Sequence, residues 1–514
     1  MILAVALVVP MFAHAADVPI HSVRGFIASP ADGTPIVYNL ILPDTASASN
    51  PVPAVMRGHG WGGKGETDTT LSSTARALLN NGYAVLTWDS RGFGASGGEA
   101  NVDDPDIEGR DAKGLVDLLA STPEIAQSAP GNPIVGMTGV SYAGGIQYAL
   151  ASQDSRIDAI APEITWNDLR YSLFPNDVTK LGWTQLLFAS GLAAAVKDGV
   201  DQSGTAGIQT GSYAKEIFAS EAAGLALGKP DDASKAWFAT KSFGVYHNAH
   251  PISIPTLFLQ GDVDTLFNLN EAWANYKIIS ATGAPTKFIA FCGGHVACPA
   301  NVNSGDARVH EDRAIVTWFD KYLKGNSTTD TGTNVEYSTE DGVWHYTSTF
   351  PTPQLPGAAT YITATGSGSV VSLGAPTDGG GTGASYLPLV TDGYSTDPQT
   401  INIEITTTSD RTTVVGIPHI SGTVTGLGAG AHLFFKLADR ESKTVLDGQA
   451  ASLRFEGPLT GTALPFDLDL NGVSALVDAG HHIDLQISTS SLAHVQYRGA
   501  ANLNILATVS IPTI

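Results

Sequence analysis

Short apolar runs alternate with amphipathic stretches from about Val18 to Ala161. Pro53-Ala54-Val55-Met56-Arg57 and Tyr83-Ala84-Val85-Leu86-Thr87-Trp88 are apolar at successive positions, which predicts strands buried on both faces. Residues 71–80 lie between them with helical spacing, and residues 106–119 predict a second helix. Pro133-Ile134-Val135-Gly136-Met137 is the next strand, residues 146–151 the next helix, and Ile157-Asp158-Ala159-Ile160 the strand after it. Strands that alternate with helices this way form a largely parallel sheet covered on both faces, an α/β architecture.

The rhythm breaks between Trp166 and about His250. Helical patches at 183–196 and 213–225 are joined by Gly-rich segments, with no strand pattern, so this stretch reads as a helical insertion. Strands resume at Thr256-Leu257-Phe258-Leu259 and Lys287-Phe288-Ile289-Ala290-Phe291, with a helix at 270–280 between them. A last helix is expected at 314–324, with Gly325 as its stop signal. Residues 326–334 are small and polar, a linker. From about Val335 the texture changes to Thr, Ser, Gly and Val in short alternating runs such as Ile401-Asn402-Ile403-Glu404-Ile405. That pattern predicts an all-β sandwich of jelly-roll type over 335–514.

A chain of 514 residues needs two or more domains, and its 43% hydrophobic content is enough to build their cores. The net charge of −22 argues against nucleic acid and against a basic membrane-docking face. Met1 to Phe12 is apolar and uncharged and is followed by Ala13-His14-Ala15-Ala16, a signal-peptide cleavage pattern. Residues 1–16 are therefore expected to direct secretion or export to a periplasm, and no later run is long enough to span a membrane. Cys292 and Cys298 are the two cysteines; an exported protein could join them in a disulfide, or they could stay free. Their spacing around His295 matches no common zinc pattern, and neither a metal nor an organic cofactor is implied.

Chemistry concentrates in Gly139-Val140-Ser141-Tyr142-Ala143-Gly144, which follows a strand and opens a helix. That context is a nucleophile elbow, with Ala143 where a glycine is usual. A Ser hydroxyl needs a His to take its proton and a carboxylate to hold that His. Gln260-Gly261-Asp262-Val263-Asp264 follows the next buried strand and selects Asp264 as the acid, with Asp262 as second choice. Cys292-Gly293-Gly294-His295 follows the strand after that, about 30 residues on, the length of one βαβ unit, and selects His295 as base. The backbone N–H of Tyr142 should serve the oxyanion, with Trp61 N–H from Arg57-Gly58-His59-Gly60-Trp61-Gly62-Gly63 as the second donor. His59 reads as a support of that loop. Trp88-Asp89-Ser90-Arg91-Gly92-Phe93-Gly94 lacks the Lys of a phosphate loop and should shape the site's rim, with Asp89 and Arg91 pairing locally.

Asp89-x-Arg91-Gly92-x-Gly94-x-Ser96-x-Gly98, Gly139-Val140-Ser141-Tyr142, Gly261-x-x-Asp264 and Gly294-His295 together resemble the X-Pro dipeptidyl peptidase group. That group includes the cocaine-esterase-like (CocE/NonD) acyl esterases and the α-amino-acid ester hydrolases. Gly416-Ile417-Pro418 and residues 478–485 resemble its C-terminal domain. The resemblance implies an α/β-hydrolase domain over 17–330, a helical cap at about 166–250 inserted after the sixth strand, and a C-terminal jelly roll. The His59-Gly60-Trp61 loop departs from the many members that place a Tyr hydroxyl at the oxyanion. The expected function is cleavage of a small-molecule or polymeric carboxylic ester. The alternative is X-Pro dipeptidyl-peptidase activity, with Glu163 and Asp168 as candidate binders of a substrate amine. A third reading, a surface- or carbohydrate-binding jelly roll, finds few grouped aromatics to support it. Nothing in the sequence reports on oligomeric state.

Overall fold

The computed structural model describes residues 17–198, 213–298, 304–373 and 389–514; the expected signal peptide at 1–16 lies outside them. The first large sheet has ten strands. In chain order these are β1 (Ile20–Ala28), β2 (Pro35–Pro43), β3 (Ala54–Arg57), β4 (Ala84–Trp88), β5 (Val135–Val140), β6 (Ile157–Glu163), β7 (Thr256–Gly261), β8 (Thr286–Phe291), β9 (Val335–Ser338) and β10 (Trp344–Thr347). Their spatial order is β1-β2-β4-β3-β5-β6-β7-β8-β9-β10. The run from β4 through β9 is parallel; β1 and β2 add antiparallel pairings at one edge and β10 at the other.

Side chains on a strand alternate between faces, and the central strands fill a core on each side. Met56, Leu86 and Met137 join one core beneath helices Glu108–Ser121, Tyr142–Ala151 and Leu269–Ser280. Val55, Val85 and Leu257 join the opposite core beneath Ser73–Asn80 and Ser304–Tyr322. Ser72 starts the Ser73–Asn80 helix by accepting the N–H of Ala75 at 3.2 Å, one of the four donors a helix start leaves open.

Two expectations change. The last helix runs from Ser304 to Tyr322, starting well before 314. Its first half is charged, and Arg308 there bonds Asp312, Glu311 and Glu163; that face binds through ion pairs and hides the apolar period. The textural change at Val335 also does not open the second domain. Val335–Ser338 pairs parallel to β8, and Trp344–Thr347 pairs back on it, so both extend the first sheet. Short apolar runs look alike whichever sheet they join.

The C-terminal β-domain begins with Thr360–Ser372, and every pairing within it is antiparallel. Its organiser is the long strand His419–Asp439. The first half pairs with Leu464–Asp469 and Ala501–Thr513, and the second with Ala451–Thr460 and His482–Ser488, which curls the sheet around its own core. Ile401, Ile403 and Ile405 point into that core while Asn402 and Glu404 face out, as their alternation requires. Between β6 and β7 the described residues form helices only, including Leu169–Leu173, Leu181–Asp198, Lys215–Leu227 and Asp232–Ala239. They roof the carboxyl ends of the parallel strands, where α/β sheets hold their ligands.

Candidate active site

Ser141 sits between β5 and the helix Tyr142–Ala151 with φ 59° and ψ −117°. A left-handed backbone is strained for any residue but glycine. The turn is held by Ser141 N–H to Glu163 O at 2.9 Å and Gly144 N–H to Ser141 O at 2.7 Å. Gly139, at φ 150°, is required here: a Cβ would stand 2.5 Å from the Ala143 methyl. Ala143, where a glycine is usual, is thus accommodated by Gly139, and also by Gly58, whose Cβ would come within 2.9 Å of it. Gln147 braces the elbow from inside its own helix, donating to Ala143 O and accepting from Ala161 N–H on β6.

The structure brings Ser141, His295 and Asp264 into one relay. Ser141 Oγ lies 2.7 Å from His295 Nε2, and His295 Nδ1 lies 2.7 Å from Asp264 Oδ2. Asp264 is fully buried. Its Oδ1 accepts the N–H groups of Leu266 and Phe267, and its Oδ2 also accepts His295 N–H, so three backbone donors fix the carboxylate in place. Gly294, at φ 133°, lets the His loop close on the acid; a Cβ there would meet Asp264 Cβ at 2.5 Å. Phe267 and Trp183 pack edge-on against the imidazole at 5.2 and 5.8 Å. Asp262 stays out of the relay. It is buried against Asp447 and near Glu340, and burial together with those two acids pushes its carboxyl well above the usual range.

Sequence reasoning missed the residues that hold the acid loop. Lys180, from the helical insertion, donates through Nζ to Thr265 O at 2.7 Å and Leu266 O at 3.0 Å. Burial pulls its ammonium down to about 8, against the opposing pull of Glu271 and Asp264. Gln449, from the β-domain, donates to Asp262 O at 2.8 Å and Asp264 O at 3.1 Å, and its own Oε1 is fixed by Asn471. Thr265 Oγ1 accepts from Trp183 Nε1 and donates to Val390 O. No local motif marks these contacts, because the partners stand far away in sequence.

His59 serves the early loop: Ser90 N–H donates to its Nε2 at 2.9 Å, and Nδ1 meets Gly60 O at 2.8 Å. Burial lowers its basicity, which suits a neutral ring that donates on one side and accepts on the other. Trp61 donates through Nε1 to Leu187 O, and its ring packs on Phe93, Tyr142 and Tyr213. Asp89 and Arg91 do not pair with each other, contrary to expectation. Arg91 forms a two-pronged pair with Asp111 and reaches Asp32, while Asp89 accepts the N–H groups of Gly65 and Ala95. The fork of a guanidinium matches a carboxylate presented in plane, and the loop turns Arg91 toward one.

A cavity of about 100 Å³ opens beside Ser141, walled mainly by apolar side chains such as Trp61, Tyr142, Leu173, Phe174, Leu187 and Phe238. Glu163 and Asp168 do not line it. Glu163 is buried under Arg308, and Asp168 caps the Leu169–Leu173 helix and pairs with Arg170. Cys292 and Cys298 are bonded to each other. Asp439, Glu441 and His481 group on the β-domain surface, where His481 already binds Asp439 and the turn's N–H groups occupy the same carboxylate. No helix among the described residues is long and apolar enough to cross a membrane.

Comparison with known proteins agrees with this layout. An α-amino-acid ester hydrolase structure superposes with a TM-score of 0.72 at 17% identity, covering 98% of each chain. A CocE/NonD family hydrolase from Staphylococcus aureus does so at 0.68 and 15%, covering 97% of each. At these identities the likeness is one of fold. A 31.7 kDa uncharacterized protein of Escherichia coli, from the traX-finO intergenic region, is 28% identical over 116 residues; the match spans 23% of this chain and 38% of that protein. The sequence profile of the X-Pro dipeptidyl-peptidase (S15 family) matches residues 32–297, more than half of the chain. With that match, on this fold, the chain belongs to the S15 family and is a serine hydrolase.

Proposed function

We propose that the protein hydrolyses carboxylic esters through Ser141, His295 and Asp264. The observation that carries this reading is the continuous relay from Ser141 Oγ through His295 to the buried Asp264. Ser141 Oγ attacks the acyl carbon while His295 Nε2 takes its proton. The resulting oxyanion is met by the backbone N–H of Tyr142, at the positive end of its helix, and by that of Trp61. The C–O bond to the alcohol then breaks, and His295 returns the proton to the leaving oxygen. Water, activated by the same imidazole, cleaves the acyl-enzyme and restores Ser141. Asp264 keeps His295 in the tautomer with Nδ1 protonated and balances the imidazolium that forms in each half-reaction.

The apolar cavity supports an ester over an X-Pro peptide. The two carboxylates considered for a substrate ammonium, Glu163 and Asp168, are engaged in ion pairs elsewhere and do not line the cavity, and Glu221, the acid that does line it, is already bound by Gln185. Export belongs to the same proposal, since the Met1–Ala16 pattern and a disulfide both suit an oxidising compartment. N-terminal sequencing of the protein recovered outside the cytoplasm checks that part. The decisive assay compares p-nitrophenyl butyrate with Ala-Pro-p-nitroanilide, for the wild type and Ser141→Ala. Ester turnover lost in the variant, with no anilide cleavage, is the expected result. Anilide cleavage lost in the variant would move the protein to dipeptidyl peptidase activity. Full activity in Ser141→Ala would overturn the nucleophile.

A further inference from the structure

The cavity beside Ser141 is not apolar throughout. On the wall formed by the cap, Thr179, Ser220 and Glu221 interrupt the hydrophobic lining. Thr179 and Ser220 are almost fully buried, at 2% and 4% exposure, and Thr179 Oγ1 and Ser220 Oγ have no hydrogen-bond partner among the described residues. A Ser inside a helix ordinarily bonds the carbonyl one turn back; Ser220, inside Lys215–Leu227, does not. Leaving such a hydroxyl unmet forfeits the hydrogen bonds it made to water. The two belong to one neighbourhood, because Thr179 packs against Gly224, one helical turn from Ser220; a Cβ on Gly224 would lie 3.4 Å from Thr179 Cγ2. Gly224 itself lines the cavity, and its missing side chain keeps this corner open. Glu221 accepts a hydrogen bond from Gln185, and burial holds its carboxyl above the ordinary value. Two buried hydroxyls without partners and one carboxylate thus share the wall of an otherwise greasy chamber.

We propose that this corner binds a hydroxyl group at the far end of an apolar acyl chain, so that the preferred substrates are esters of ω-hydroxylated aliphatic acids. The inference rests on Ser141 as the nucleophile. The acyl part is the portion that stays bonded to Ser141 between the two half-reactions, so it suits a chamber under the cap, whereas the alcohol must leave. A hydroxyl both donates and accepts, which matches a carboxylate acceptor beside two Ser/Thr hydroxyls. An ammonium would satisfy the same atoms but would lose far more hydration on passing the apolar walls.

The test uses p-nitrophenyl esters of hexanoic, octanoic and decanoic acids, each ending in a methyl, a hydroxyl or an amine. At the best-fitting length the wild type should turn over the hydroxyl-ended ester with a higher kcat/KM than the methyl-ended one. That ratio should fall about tenfold in Thr179→Val/Ser220→Ala, which removes both hydroxyls. Thr179→Ser should keep the ratio, which separates hydrogen bonding from packing. Binding of the corresponding methyl esters to Ser141→Ala, followed by calorimetry, should show the same order without turnover. A preference for the methyl end at every length, or an unchanged ratio in the double variant, would overturn the proposal. Preference for the amine end would overturn it in favour of a cation site. Hydrolysis that persists in Ser141→Ala would instead strike the underlying nucleophile assignment, whatever the end-group preference.

Discussion

The two halves of the relay are built differently. The Ser141 elbow is nearly self-sufficient. Its strain is contained by β5, β6 and its own helix, Gly139 and Gly144 lie within three residues of Ser141 with only Gly58 supplied from afar, and its brace is Gln147 from the same helix. The Asp264 loop is held from outside. Its carbonyls are bound by Lys180 from the cap and Gln449 from the β-domain, and its Thr265 links Trp183 to Val390. The position of the proposed nucleophile is therefore a product of local sequence, while those of the proposed acid and base depend on three parts of the chain meeting. The C-terminal domain, on this view, is part of the catalytic support.

Substitutions can break that contrast in order of size. Ser141→Ala should reduce kcat by about 10⁶-fold, because the relay loses its nucleophile. Asp264→Asn should leave the fold intact and cost about 10⁴-fold in kcat, since an amide fixes the wrong imidazole tautomer. Steady-state kinetics beside circular dichroism checks both.

Lys180→Met tests the external support directly. It leaves two buried carbonyls unmet and should lower kcat about tenfold with little change in KM. The wild type should also lose activity as pH rises through about 8, where the Lys180 ammonium discharges and its charge no longer faces Asp264. That limb should be missing in the variant. A pH–kcat profile with the same alkaline limb in both proteins would show that the cap does not act through this charge. Gln449→Leu should have a smaller effect, a few-fold in kcat, because Lys180 still holds the neighbouring carbonyls. If Gln449→Leu left kcat unchanged while Gln147→Leu lowered it, the proposed asymmetry would be reversed.

The same junction predicts a pH dependence of stability. Burial, together with Asp447 and Glu340 for Asp262 and with Glu340 for Asp447, raises both carboxyls well above their ordinary value. In the unfolded chain both ionise near pH 4. Between that pH and their folded values the folded state binds more protons, so stability is greatest below about pH 4 for these groups and falls as pH rises. Asp447→Asn removes one of the titrating carboxyls. Its melting temperature should exceed that of the wild type by about 2 °C at pH 8, with the gap closing toward pH 5. A constant gap across that range would mean the carboxyls are not coupled to folding.

The parallel strands, the elbow and the Asp264 and His295 positions were legible because each is a local pattern: an apolar run, then a glycine-framed turn. The helix from Ser304 was misjudged because Arg308 satisfies it through Glu163 and Asp312, charges whose pairing leaves no apolar period. The Val335 boundary was misjudged because a strand's sequence records its burial and not which sheet it joins. Arg91 was assigned the wrong partner for a related reason: nearness in sequence to Asp89 counted for less than the geometry of Asp111.

What the sequence determined by itself was the α/β and all-β character of its two parts and the three residues of the relay, since backbone strain and strand burial are written into neighbouring residues. Only the tertiary structure decided what holds the acid loop and what lines the chamber beside Ser141. Those properties arise where Lys180, Gln449, Thr179 and Ser220 come together with the strand ends, and contacts between residues so far apart along the chain leave no period or spacing to read.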